Sequence, residues 1–184
     1  MTTIYDVAMR NYRAAADMLE ALQATRLDLV SEARNGLIGR PRLGLGGGYN
    51  HVSPSFGACL PSNGRSEILM AEGINGIELR CSGADWMTLE GTISSRIPVG
   101  FCYVEMQVAS DRPLVADVFL REFLEDQSIR DSGHRECHAT NGNIAVCKLS
   151  LPEIADDLAD RRVIIHLRHP AQRLVLDRLA ITLI

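Results

Sequence analysis

A chain of 184 residues with 46% hydrophobic and 23% charged side chains is about one domain, or one domain with an appendage, and is long enough to bury a core without covalent staples. A net charge of −4 and a pI near 5.7 exclude a general pull toward nucleic acid or anionic membranes, and an aromatic content of 5% leaves few stacking platforms for bases or sugar rings. No apolar run approaches ~20 residues, and the N-terminus lacks a basic start followed by an apolar stretch, so neither a membrane span nor a secretory signal is expected.

Five cysteines, an odd number without a signal peptide, point to reduced thiols in a cytoplasm rather than a disulfide framework. Of the 19 basic residues only Lys148 is a lysine, so positive charge is carried almost wholly by guanidinium groups suited to forked pairing with carboxylates; codon bias accounts for such a skew as well.

From about Thr3 to Arg34 the chain has no Gly or Pro and is rich in Ala, Leu, Met, Glu and Arg, which predicts a long helix within an N-terminal segment 1–36. Tyr5, Ala8, Tyr12, Ala15, Leu19, Leu22, Arg26, Leu29 and Ala33 recur at spacings of three and four, an a/d seam broken only at Arg26. Such a seam needs a partner surface, either the same helix in another subunit or the back of its own sandwich. Self-association of the chain through this helix, as a coiled coil, is therefore expected.

Asn35 and Gly36 stop the helix, and Gly39 to Asn50, GRPRLGLGGGYN, carries too much Gly for a regular element. With His51 to Asn63 behind it, interrupted by Pro54, Gly57 and Pro61, the segment 37–65 reads as a linker. No Gly-Lys-Ser/Thr follows the glycines and no helix begins after Gly48, so both the P-loop and the dinucleotide fingerprint fail and no cofactor is expected.

From Ser66 onward the texture is strand, turn, strand. Glu67 to Ala71, Gly76 to Cys81, Trp86 to Ile93, two arms between Phe101 and Phe123, Ile144 to Leu151, Val163 to Arg168 and Leu174 to Leu183 make about eight strands, which predicts an antiparallel β-sandwich or barrel over 66–184. Trp86, the only tryptophan, reads as a core or core-edge anchor. Pro152 to Asp160 reads as a helical turn or two, with Pro at the first turn and acids near the start.

The clearest stretch is FCYVEMQVASDRPLVADVFLREF, Phe101 to Phe123, read as a hairpin with Asp111, Arg112 and Pro113 as its loop. That register sets Val108 against Ala116, Met106 against Val118 and Val104 against Leu120 on one face. On the other it sets Gln107 against Asp117, Glu105 against Phe119 and Tyr103 against Arg121. The mixed face is either a solvated outer surface or a shallow binding face of Tyr103, Glu105, Gln107, Asp117 and Arg121, which His166 and Arg168 join if their strand lies in the same sheet.

Glu125 to Asn141, EDQSIRDSGHRECHATN, is the longest stretch without strand character after the linker, and loops of that length in compact domains are usually functional or mobile. His134, Cys137 and His138 would be the ligands of any bound zinc, although a structural site wants four ligands and no second Cys-x-x-Cys half exists. Cys137 and His138 are sequence neighbours that point apart on extended backbone, and no Gly-x-Ser-x-Gly elbow occurs, so nucleophilic catalysis finds no support.

WMTLEGTI, YVEMQVAS, VFLREF, VCKLSLPEI and the closing VIIHLRHPAQRLVLDRLAITLI resemble, over roughly Trp86 to Ile184, the galactose-binding-domain-like jelly rolls, the fold of many carbohydrate-binding modules. The resemblance implies two antiparallel sheets and a concave glycan-binding face, with no motif that carries ligand residues across. The expected function is a non-catalytic, glycan-related binding module with a helix for assembly; the alternatives are a structural or protein-interaction domain, and a hydrolase acting on glycans.

Overall fold

The computed structural model describes residues 3–40, 42–71, 73, 75–93 and 100–184. The N-terminal segment forms α1 (Ile4–Ala24), opened by a capping box in which the Thr3 hydroxyl accepts from the Asp6 N–H while the Asp6 carboxylate accepts from the Thr3 N–H. The helix does not run on to Arg34. It stops at Thr25, whose hydroxyl donates to the Leu183 carbonyl at 2.7 Å. The chain then extends as β1 (Arg26–Asp28) and re-enters helix as α2 (Leu29–Gly36), capped by the Asp28 carboxylate accepting from the Ser31 N–H at 3.0 Å.

The break falls where the apolar seam broke. The Arg26 guanidinium forks onto Glu105 at 2.6 and 3.1 Å, pinning the extended residues to the sheet. Beyond it the seam residues Leu29 and Ala33 are buried in the chain's own core, whereas no residue of α1 is buried. Among the described residues no helix is long and apolar enough to cross a membrane.

The remaining strands are β2 (Arg42–Leu45), β3 (Gly48–Ser53), β4 (Phe56–Leu60), β5 (Arg65–Met70), β6 (Ile77–Ser82), β7 (Trp86–Thr92), β8 (Phe101–Ser110), β9 (Leu114–Leu124), β10 (Ile129–Ala139), β11 (Ile144–Ser150), β12 (Leu158–Arg168) and β13 (Arg173–Leu183). They form two antiparallel sheets, the expected sandwich. One runs β11-β8-β13-β6-β5-β2 with β1 added beside β13, the other β10-β9-β12-β7-β4-β3. Apolar residues of alternating phase from both sheets, with Leu29, Val30, Ala33 and Leu37 from α2 and its end, fill the space between them.

Three expected segments differ. The linker over 37–65 contains β2, β3 and β4, because Leu45, Val52, Phe56, Ala58 and Leu60 supply a core-facing phase that the intervening Gly and Pro hide. Pro152 to Asp160 forms no helix; β12 begins at Leu158. The Glu125 to Asn141 loop is mostly β10, paired with β9 and bulged between Ser132 and Arg135.

The hairpin is also a correction. Val104, Met106, Val108, Ala116, Val118 and Leu120 are all buried, as their phase requires, but they face one another across the sandwich. Strand β8 pairs with β11 and β13, and β9 pairs with β10 and β12, so Asp111 to Pro113 carries the chain from one sheet to the other. That corner is anchored by the Asn141 side chain, which accepts from the Ser110 N–H and donates to the Ser110 carbonyl, both at 2.7 Å.

One ion pair lies inside the sandwich. Glu122, 0% exposed, accepts from Arg161, 1% exposed, at 2.6 and 3.1 Å; its second oxygen accepts from Arg130 at 2.8 Å, and Arg161 also donates to the Pro152 carbonyl at 3.1 Å.

Candidate functional site: the outer face of the six-stranded sheet

In β7, Met87 and Leu89 point into the core, so Trp86, Thr88 and Glu90 take the outer phase; in β12, Val163, Ile165 and Leu167 point in and Arg162, Ile164, His166 and Arg168 point out. The register aligns these residues into rows across the strands. One row runs Tyr49, Cys59, Thr88, His166, Asp117, Glu136, each the direct neighbour of the next. Six strands at ~4.8 Å spacing make such a row about 24 Å long, the length of an oligosaccharide rather than a single ring. The adjoining row runs His51, Gly57, Glu90, Ile164, Phe119.

Rings and guanidinium groups interleave along this face. The Arg162 guanidinium lies 4.5 Å from the Tyr49 ring centre and 4.7 Å from that of Phe123, while donating to Asp160 at 2.7 Å and to Glu90 at 3.1 Å. The Thr88 hydroxyl donates to the other Glu90 oxygen at 2.8 Å. Arg121 lies 5.4 Å from the Phe119 ring centre and forks onto Asp131 at 2.7 and 2.8 Å. His134 stacks on Phe119 at 4.5 Å, with its Nδ1 3.0 Å from the Asp117 carboxylate. Trp86 meets His166 edge-on at 6.1 Å. Gly57 leaves room for this packing, since a Cβ there would run into the hydroxyl and ring of Tyr49.

The groups on the face respond to their surroundings. Burial, and then the charge of Arg168, push the His166 imidazole below its ordinary pKa against an opposing pull from Asp117. Burial raises the Tyr49 phenol, with Arg162 opposing. At the Trp86 and Arg168 end, a cleft of about 420 Å³ lies between Arg112, Val115, Asp117, Glu136, Arg168 and His169.

Of the residues expected to share a binding face, Asp117, Arg121, His166 and Arg168 do share this one. Tyr103, Glu105 and Gln107 lie on the outer face of the opposite sheet, because β8 belongs there. Glu105 is engaged by Arg26 and Arg178, not Arg121, and the Arg26 fork holds its carboxyl below the usual range. Tyr103 lies near the Lys148 ammonium, 5.7 Å from the ring centre, and Gln107 reaches the Gly142 carbonyl at 3.5 Å.

The zinc expectation fails on the alternation of β10. His134 and His138 point outward to Asp117 and Glu136, while Cys137 is 5% exposed in the core, where burial raises its thiol. Among the described residues no cluster of three His, Cys, Asp or Glu side chains is placed to hold a metal. Tyr49, Glu90, Phe123 and Arg162 share this face without having been expected on it, and Trp86, read as a core or core-edge anchor, is half-buried in the phase opposite to Met87 and Leu89. That phase was visible in WMTLEGTI; Tyr49 was hidden in glycine-rich sequence.

No protein-family model matches the chain and no curated protein matches it in sequence. Solved structures do match its fold. The CBM22-1 and GH10 modules of Clostridium thermocellum endo-1,4-β-D-xylanase 10B, complexed with xylohexaose, align with a TM-score of 0.51 and 10% identity over 85% of this chain and 28% of theirs. A CBM22-2 xylan-binding domain from Paenibacillus barcinonensis aligns at 0.49 and 9% identity over 69% of this chain and 91% of its own. A family 11 carbohydrate-binding module from Clostridium thermocellum, in complex with a β-1,3-1,4-mixed-linked tetrasaccharide, aligns at 0.47 and 11% identity over 78% and 95%. The two antiparallel sheets, together with the first of these matches, give the chain a jelly-roll β-sandwich fold similar to one found in a protein that carries a carbohydrate-binding module.

Proposed function

We propose that this protein is a non-catalytic glycan-binding module whose ligand lies along the outer face of the six-stranded sheet. The observation that carries the reading is where the few aromatic residues are placed. Of nine Phe, Trp and Tyr residues, four, Tyr49, Trp86, Phe119 and Phe123, share this one face, interleaved with Arg121, Arg162 and His166. Sugar rings need flat apolar surface beside planar donors and acceptors, and this face combines both. The fold shared with carbohydrate-binding modules supports the same reading. Its carboxylates Glu90, Asp117, Asp131 and Glu136 are already engaged by guanidinium, hydroxyl or imidazole groups, which favours binding over acid-base chemistry.

The second part of the reading concerns α1. Tyr5, Tyr12 and Leu19 of its seam are exposed, its Ala8 and Ala15 permit close approach, and its charges, Asp6, Arg10, Arg13, Asp17 and Glu20, all fall away from the seam. Such a face fits a second copy of the same helix, which would present several glycan faces together.

The test of the site is a glycan array followed by calorimetric titration of the best ligand, on the wild type and on Trp86→Ala and Tyr49→Ala. Each variant is expected to lose roughly tenfold or more in affinity with unchanged circular dichroism. Binding that survives both substitutions, or no binding to any glycan, refutes the assignment.

A further inference from the structure

We infer that the cleft at the Trp86 and Arg168 end of this face takes the carboxylate of a uronic acid unit, so that the glycan is acidic; the inference rests on the reading of the face as a glycan site. Glu90 and Asp160 are engaged by Arg162, Asp131 by Arg121, Asp117 by His134 and Glu136 by His138. Arg168 is the exception. Its side chain is exposed and makes no hydrogen bond or ion pair among the described residues, and its charge is felt by His166 beside it.

The surroundings of Arg168 suit a sugar acid. Its cross-strand neighbour is Trp86, a half-buried ring on the same face just outside the cleft's lining. The cleft beside it, about 420 Å³, is of the size that encloses a small ligand. One wall is fixed in advance. His169 holds a φ of +50°, a left-handed conformation unusual for a residue with a side chain, and is clamped by its N–H to the Asp85 carbonyl at 2.8 Å and by Arg112 donating to its own carbonyl.

The same geometry selects the anion. A guanidinium presents a planar fork that matches a carboxylate. Asp117 and Glu136 also line the cleft, so a dianion such as a phosphate monoester meets more repulsion there than a singly charged carboxylate does. A sulfate ester is singly charged too and can also set two oxygens on the fork, so it forms a separate arm of the test.

The experiment compares three oligosaccharides of one backbone, neutral, bearing a terminal uronic acid, and bearing a terminal sulfate, titrated calorimetrically into the wild type, Arg168→Ala and Arg168→Lys at low and high salt. The uronate form is expected to bind roughly tenfold tighter than the neutral one in the wild type, and that ratio is expected to fall to about one in Arg168→Ala and only partly to recover in Arg168→Lys. Equal affinity for neutral and uronate forms, both lost in Trp86→Ala, overturns this inference and leaves the glycan site standing. A uronate preference that survives Arg168→Ala, or a sulfate form that binds tighter than the uronate, also overturns it. Failure of all three to bind removes the glycan site itself.

Discussion

The buried pair Glu122 and Arg161 lies directly beneath the proposed glycan face, since Glu122 sits between Arg121 and Phe123 in β9 and Arg161 adjoins Arg162 in β12. Replacing Glu122 with Ala leaves the Arg161 guanidinium, 1% exposed, with only the Pro152 carbonyl at 3.1 Å. Removing one partner of a buried pair costs about 3–5 kcal/mol, most of it the penalty of an uncompensated charge. Arg130 loses its partner too, but it is about half exposed and water replaces the carboxylate. At a urea slope of ~2 kcal/mol/M, the unfolding midpoint should fall by about 2 M, followed through the fluorescence of the single tryptophan, Trp86. The double variant Glu122→Leu with Arg161→Met removes both charges and should recover most or all of the loss. A single variant that loses less than about 1 kcal/mol would mean that Arg161 reaches water and the pair is not sealed. A double variant as unstable as the single one would refute the charge-burial account.

Three further outcomes follow from the same structure. Because the folded-state pKa of His166 is depressed below 6.5, the unfolded chain takes up a proton first as pH falls, so stability should decline below pH 6.5 until the folded imidazole also titrates; thermal melts between pH 7 and 5 should show that slope, and His166→Gln should flatten it. Gly57→Ala should push the Tyr49 ring off its seat and weaken glycan binding roughly tenfold, with a melting temperature near that of the wild type; undiminished affinity would mean that Tyr49 takes no part in the site. Deleting residues 1–24 should convert an oligomer to a monomer in light scattering while leaving the sandwich folded, because α1 buries nothing; an unchanged mass would sink the assembly role, and a deletion carried on into α2 would unfold the core by removing Leu29, Val30 and Ala33.

From residue 66 onward most strands were legible because alternation reports burial directly: Val104, Met106 and Val108 had to share a covered face, and they do. What alternation does not report is which strand lies alongside. A period of two is the same whether β8 pairs with β9 or faces it across a core, so the short Asp111 to Pro113 turn read as a hairpin when it is a corner between sheets. That one ambiguity moved Tyr103, Glu105 and Gln107 to the wrong sheet while Asp117, Arg121, His166 and Arg168 fell together. Strand β10 escaped notice for another reason. It is an edge strand, and an edge exposed to pairing is protected by charge, so Arg130, Asp131, Arg135 and Glu136 made a strand read as a loop.

Composition is silent in a similar way, because an average says nothing about placement. An aromatic content of 5% leaves few rings to place, yet Phe56 alone packs between the sheets, Tyr5 and Tyr12 go to α1, Phe101 and Tyr103 lie beside Lys148 on the far sheet, and the other four gather on one face, Phe119 buried there under His134. The preference for arginine over lysine takes on a structural meaning there as well. Arg162 rests between two rings and still reaches two carboxylates, and Arg121 does the same with one of each, because a guanidinium is flat enough to stack and forked enough to donate sideways. An ammonium is a point charge that stacks on nothing in plane. The one lysine sits above Phe101 without a carboxylate partner within salt-bridge distance among the described residues, on the outer face of the opposite sheet.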